Sequence, residues 1–124
     1  MVGRILIVDD VATNRIVLKV KLTAAGYRPA VAPDGATALA MTRAELPELV
    51  LLDLMLPDLS GIEVLRRLRA DPLTQGLPVL VMSAHADARL RVECFRAGAD
   101  EVLTRPVDDQ TLLARIRSFM RQRT

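Results

Sequence analysis

Tryptophan is absent from this 124-residue chain, which holds only one tyrosine and two phenylalanines. No platform therefore exists on which nucleobases could stack, and a net charge of +2 is too small to argue for nucleic acid. The one cysteine, Cys94, excludes an internal disulfide and suits a reducing, cytoplasmic setting. It falls in the helical stretch RLRVECFRAG, where free cysteine packs as a small apolar residue. The one histidine, His85, leaves no Cys/His metal spacing. A Ser-His-Asp triad would have to use it beside Ser83, without the elbow that exposes a nucleophilic serine. No run approaches the roughly 18 apolar residues of a membrane span. MVGRILIVDD sets two aspartates directly after its apolar run, unlike a signal peptide. The glycine-rich dinucleotide fingerprint and the phosphate-binding P-loop are missing as well.

What is present is alternation. RILIVDD, LVLLD (49–53) and PVLVMS (78–83) are short, continuously apolar runs, the pattern of strands buried on both faces. RPAVA is a weaker strand that Pro29 pushes to a sheet edge, and EVLT (101–104) is the last. Between them lie segments with helical spacing: VATNRIVLKVKLTAAG ending at Gly26, GATALAMTRAEL after an Asp34 cap, GIEVLRRLRA, and DARLRVECFRAG capped by Gly98. Ser60 and Glu63 have capping-box spacing. DDQTLLARIRSFMRQR closes the chain as an amphipathic helix with Leu112, Leu113, Ile116 and Phe119 inward. Its arginine-rich end reads as a solvated last turn, or as a helix leading into a further segment. Five strand–helix pairs predict one α/β domain over residues 1–124, a doubly wound parallel sheet with helices on both faces.

In such sheets ligands bind outside the C-terminal strand ends. Those ends carry Asp9-Asp10, Asp53, Ser83 and Thr104-Arg105. One aspartate after a strand is usually a helix cap, but three converging carboxylates need another account. At about 5 Å and an effective dielectric of about 20, each pair repels by roughly 3 kcal/mol. The cluster calls for a raised pKa or a cation, and oxygen-only ligands suit Mg²⁺. A carboxylate nucleophile with a metal fits: Asp53 attacking phosphorus gives an aspartyl phosphate, Mg²⁺ sits on Asp10 and Asp53, and Arg105 supplies a second cation.

In order and spacing, VDD (8–10), LLDLMLPDLSG (51–61), VMSA (81–84) and TRP (104–106) resemble the receiver domain of two-component response regulators. ATALAM, DPLTQGLPV and LLARIRS look most like the first receiver of PleD-type regulators, whose output is a diguanylate cyclase that would lie outside this chain. The resemblance implies a CheY-like, flavodoxin-like sheet of order 2-1-3-4-5 with five helices. It implies Asp53 as phosphoacceptor, Asp10 and the Met55 backbone carbonyl as Mg²⁺ ligands, and Asp9 acting through a bound water. Ser83 would bond the phosphoryl oxygen, Ala84 would keep the acceptor accessible, and the side chains of Met55 and His85 would flank the route of hydrolytic water. A cis bond before Pro106 is implied too.

Two positions depart from the pattern. Arg105 stands where the family has lysine, and Val102 where it usually has an inward-turning aromatic. The module is thus expected to be a cytoplasmic phosphoacceptor rather than an enzyme with a separate substrate. Its donor would be a histidine kinase or phosphotransfer protein, with residues 87–119 as output or dimer surface and no nucleic acid or membrane partner. The alternatives are a receiver-like binding module independent of phosphorylation and a Mg²⁺-dependent phosphohydrolase.

Overall fold

The computed structural model describes residues 3–84 and 87–121. Its strands are β1 (Arg4–Val8), β2 (Arg28–Ala32), β3 (Leu49–Asp53), β4 (Val79–Ser83) and β5 (Glu101–Thr104). They alternate with helices α1 (Ala12–Ala24), α2 (Gly35–Glu45), α3 (Gly61–Ala70), α4 (Ala88–Ala97) and α5 (Asp109–Arg121). All pairings are parallel and the order is β2-β1-β3-β4-β5. This is the doubly wound sheet that the alternation predicts. Pro29 sits on the outermost strand, where its missing N–H breaks no central ladder.

Strand periodicity divides the core in two. Leu6 and Val8 of β1 enter a cluster with Val64, Leu65 and Leu68 of α3 and Cys94 of α4. Ile5 and Ile7 point the other way, into a cluster with Leu18 and Leu22 of α1 and Leu112 and Ile116 of α5. Every residue of β3 and β4 is buried, hence their unbroken apolar runs. Leu113 and Phe119 are half-buried against the second cluster, and Cys94 is buried as a packing residue. No described helix is long and apolar enough to cross a membrane.

Helix ends follow local chemistry, with small departures from the expected spans. Asp34, Ser60 and Asp87 accept from Thr37 N, Glu63 N and Leu90 N. Gly26 and Gly98 take left-handed φ of 94° and 114° after their helices, conformations without penalty in glycine. The Glu63 carboxylate turns forward to Arg67 Nε at 2.9 Å, so only the Ser60 half of the capping box forms. Asp108 lies outside α5 and caps it through Thr111 N at 3.0 Å. Pro47 disfavours α geometry at Leu46, so α2 stops at Glu45, and Leu46 closes it as a left-handed C-cap (φ 46°) whose N–H donates to Thr42 O at 2.9 Å. Gly3, ahead of β1, packs so closely against α5 that a Cβ there would lie 2.9 Å from Met120 Cε.

One internal tie has no counterpart in the sequence patterns. Arg69 of α3 donates to Gly98 O (3.0 and 2.8 Å), Gln75 O (2.9 Å), Leu77 O (2.6 Å) and Asp100 Oδ2 (2.9 Å). It thereby joins the end of α3 to the approaches to β4 and β5. Hydrogen bonds involving a charged group contribute roughly 1.5–3 kcal/mol each, not additively. Arg69→Ala is therefore expected to cost about 2–4 kcal/mol. Urea unfolding checks this; an unchanged midpoint would mean that solvent replaces these bonds without loss.

Candidate functional site

Parallel strands end together, and that alone gathers residues distant in sequence. β1 releases Asp9 and Asp10, β3 ends on Asp53, β4 on Ser83 with Ala84 following, and β5 on Thr104 before Arg105. Asp9, Asp10 and Asp53 each offer a carboxylate oxygen within 4.8 Å of the others. Asp9 is fully buried and Asp53 nearly so at 7% exposure, whereas Asp10 faces solvent. Ser83 is buried and Ala84 exposed at the rim. His85 lies outside the described residues.

Asp9 is the most heavily bonded of the three acids. Its Oδ1 accepts from Val11 N at 2.9 Å, and its Oδ2 accepts from Asn14 Nδ2 at 3.2 Å and Arg105 Nη2 at 2.7 Å. Its backbone carbonyl accepts from Arg15 Nη1 at 2.8 Å. Asp53 holds looser contacts: Met55 N donates to Oδ1 at 3.3 Å, and Arg105 Nη1 stands 3.9 Å from Oδ2. Arg105 is anchored by its own N–H to Ser83 O at 2.8 Å, and the Arg105–Pro106 bond is cis. The guanidinium thus answers the acids directly, bound to Asp9 and adjacent to Asp53. Val102 is buried core.

Burial pushes the Asp53 carboxyl above its ordinary range, and the charges of Asp9 and Asp10 add to that. The Met55 N–H and Arg105 pull the other way without cancelling it. A divalent cation would lower this energy by binding oxygens already brought together. The donor set is all carboxylate, with Asp10 open to water, and it fits a hard cation such as Mg²⁺. The Met55 main chain is next to Asp53, and its side chain is 75% exposed.

Gly61 is a structural requirement of this rim. Its N–H donates to Leu54 O at 2.9 Å, and a Cβ there would lie 2.6 Å from both Asp53 O and Leu54 Cα. Neither backbone atom can retreat without moving Asp53. Gly61→Ala is expected to destabilise by about 1–3 kcal/mol, the range for overpacking. Chemical shifts should move at residues 53–55. A variant with wild-type stability and shifts would mean that α3 can slide away at no cost.

Asn14 and Arg15, which hold Asp9, were not singled out by motif or spacing; TNR at the start of α1 is their only trace in the sequence.

A family model for the response regulator receiver domain matches residues 5–117. The chain is 44% identical over 121 residues to response regulator PleD of Caulobacter vibrioides, covering 98% of this chain and 27% of that protein. It is 39% identical over 123 residues to the phosphate regulon transcriptional regulatory protein PhoB of Pseudomonas aeruginosa, covering 98% and 54%. It therefore spans between about a quarter and a half of these relatives. A CheY-like response regulator receiver domain protein from Methanospirillum hungatei superposes with a TM-score of 0.92 at 30% identity, covering 98% of this chain and 96% of that one.

Proposed function

Because this chain belongs to the response regulator receiver family of two-component signalling, we propose that it accepts a phosphoryl group on Asp53 and relays that event to a partner or output. The observation carrying this reading is the rim itself: a buried, destabilised Asp53 flanked by Asp9, Asp10 and the guanidinium of Arg105. A carboxylate oxygen of Asp53 attacks phosphorus, and the P–N bond of a donor phosphohistidine breaks as the new O–P bond forms. Mg²⁺ on Asp10, Asp53 and the Met55 carbonyl, with Asp9 through water, would neutralise charge on the transferring group. Arg105 is placed to hold the opposite side, and Ser83 is the hydroxyl for a phosphoryl oxygen. Ala84 leaves the approach open. The exposed Met55 side chain has no group to orient hydrolytic water; with His85 it would tune the lifetime of the phosphate.

The donor would be a histidine kinase or phosphotransfer protein. A groove of about 470 Å³ between α1 and α5 reaches Arg105 and Pro106 and gives a side chain access to the rim. For output we propose the face built from residues 87–119. Most of the charges it carries are already spent within the chain: Arg115 pairs with Glu101 at 3.4 Å and Arg91 donates to Val102 O at 3.1 Å. Recognition there rests on the exposed Val92 and Phe95.

Incubation with acetyl phosphate and Mg²⁺ should give one acid-labile, hydroxylamine-sensitive phosphate, absent without metal and in Asp53→Asn. Label persisting in that variant would remove Asp53 as acceptor. No label in the folded wild type would favour a phosphorylation-independent binding module. Steady turnover of a small phosphate ester would make the protein a phosphohydrolase instead.

A further inference from the structure

The segment 54–60 follows Asp53 and carries Met55, whose exposed side chain cannot anchor it. At its far end Asp58 reaches across to another part of the chain. Its Oδ1 accepts from Gly35 N at 2.8 Å and its Oδ2 from Ala36 N at 2.9 Å, while Leu59 N donates to Oδ1 at 2.8 Å. Gly35 and Ala36 are the first residues of α2, 23 and 22 residues away. Asp34 takes only Thr37 N, at 2.7 Å. In α3 Ser60 takes Glu63 N while Gly61 N goes to Leu54 O, seven residues back, but in α2 the second partner is a side chain more than twenty residues away.

The contact is close as well as polar. A Cβ on Gly35 would lie 3.0 Å from Leu59 Cβ and 2.9 Å from Val64 Cγ2, so the helix start is seated on the segment it grips. Asp58 is solvent-exposed, and no burial forces it inward. What holds it is the pair of unpaired N–H groups and the positive end of the helix. The same donors keep its carboxyl below the usual carboxylate range, so the grip persists at neutral pH.

We infer that Asp58 is a positioning residue for the acidic rim: by clasping the N-terminus of α2 it fixes the segment that presents the Met55 carbonyl, and so sets the affinity for a divalent cation. The inference rests on the receiver reading above. Partners of this kind, one shell removed from a metal, alter affinity by about 10–100-fold when lost.

The test compares Asp58→Ala with Asp34→Ala, which removes an equal charge and a cap from the same helix end without touching the segment. MgCl₂ titrations followed by amide chemical shifts should give about tenfold weaker binding for Asp58→Ala and near wild-type binding for Asp34→Ala. In metal-free protein, Met55 and Leu59 amides should exchange faster in Asp58→Ala only. Wild-type affinity in Asp58→Ala overturns the inference, and so does equal weakening in both variants, which would reduce it to charge or helix stability. Asp58→Asn, which keeps one acceptor oxygen, supplies a folded intermediate if Asp58→Ala unfolds, and should bind between the two. No Mg²⁺ response in the wild type would strike the metal reading itself, and exchange at Met55 and Leu59 would still decide whether Asp58 fixes the segment.

Discussion

Asp53→Asn is expected to melt at a higher temperature than the wild type at neutral pH, and to lose that advantage on acidification. Asparagine keeps the shape and an acceptor for Met55 N while removing a charge that the fold holds at a cost. With oxygens within 4.8 Å of one another and an effective dielectric of about 20, each carboxylate pair repels by roughly 3 kcal/mol, and Arg105 offsets part of it. A net gain of about 1–2 kcal/mol remains, or about 4–8 °C for a domain of this size. The pH dependence has a definite sign. The folded pKa of Asp53 lies above its ordinary 3.8, so in that window the folded state binds more protons than the unfolded state. Wild-type stability therefore falls as pH rises from 3.8 through the folded pKa, and the penalty is complete above it. Below 3.8 both states are protonated and the two proteins should melt alike. Melting curves at pH 7.5 and near pH 3 check this, and a variant that melts lower at neutral pH would contradict it. Saturating Mg²⁺ should narrow the gap from the other side, since a ligand at 100 times its Kd stabilises by about 2.7 kcal/mol.

Arg105→Ala is expected to move two observables in opposite directions. Stability should fall by about 2–3 kcal/mol, because Asp9 would be left buried with only Val11 N and Asn14 to satisfy it. Mg²⁺ affinity should rise about tenfold, because a cation 2.7 Å from Asp9 and 3.9 Å from Asp53 no longer competes for the same charge. Arg105→Lys should restore most of both, although an ammonium is a point charge and cannot span two acids as the guanidinium fork does. The response to a beryllofluoride phosphoryl mimic, read by chemical shifts, should shrink in Arg105→Ala and survive in Arg105→Lys. A full response in Arg105→Ala would leave Arg105 as a counter-charge of the resting state only.

Much of this could be read from the sequence, for identifiable reasons. β3 and β4 are covered on both faces, so LVLLD and VLVMS carry no alternation to misread. Parallel strands finish at one edge, so the last residue of each strand suffices to gather Asp9, Asp10 and Asp53. The choice among partners was not legible. Arg105 was expected to face the acids as a group, whereas its short contact is to Asp9 rather than Asp53. Arg69 and Asp58 were missed altogether. Asp58 acts on backbone groups more than twenty residues away, and Arg69 on Gly98 O at that range as well as on the nearer Gln75 O and Leu77 O; such bonds leave no period, spacing or composition behind. Leu46 is different in kind: the stretch GATALAMTRAEL places it inside the helix, whereas the Pro47 beside it ends α2 at Glu45.

The contact between Gly3 and Met120 places both ends of the fold at the pole where the strands begin. Asp53 stands at the pole where they finish, and β3 is five residues long. About 15 Å of sheet therefore separates the Asp53 carboxylate from the pole where both described ends lie. If Asp53 takes up a phosphoryl group as proposed, a module joined there by a short tether would meet it only through movement of the intervening elements. The length and stiffness of such a tether would set how much of that movement arrives.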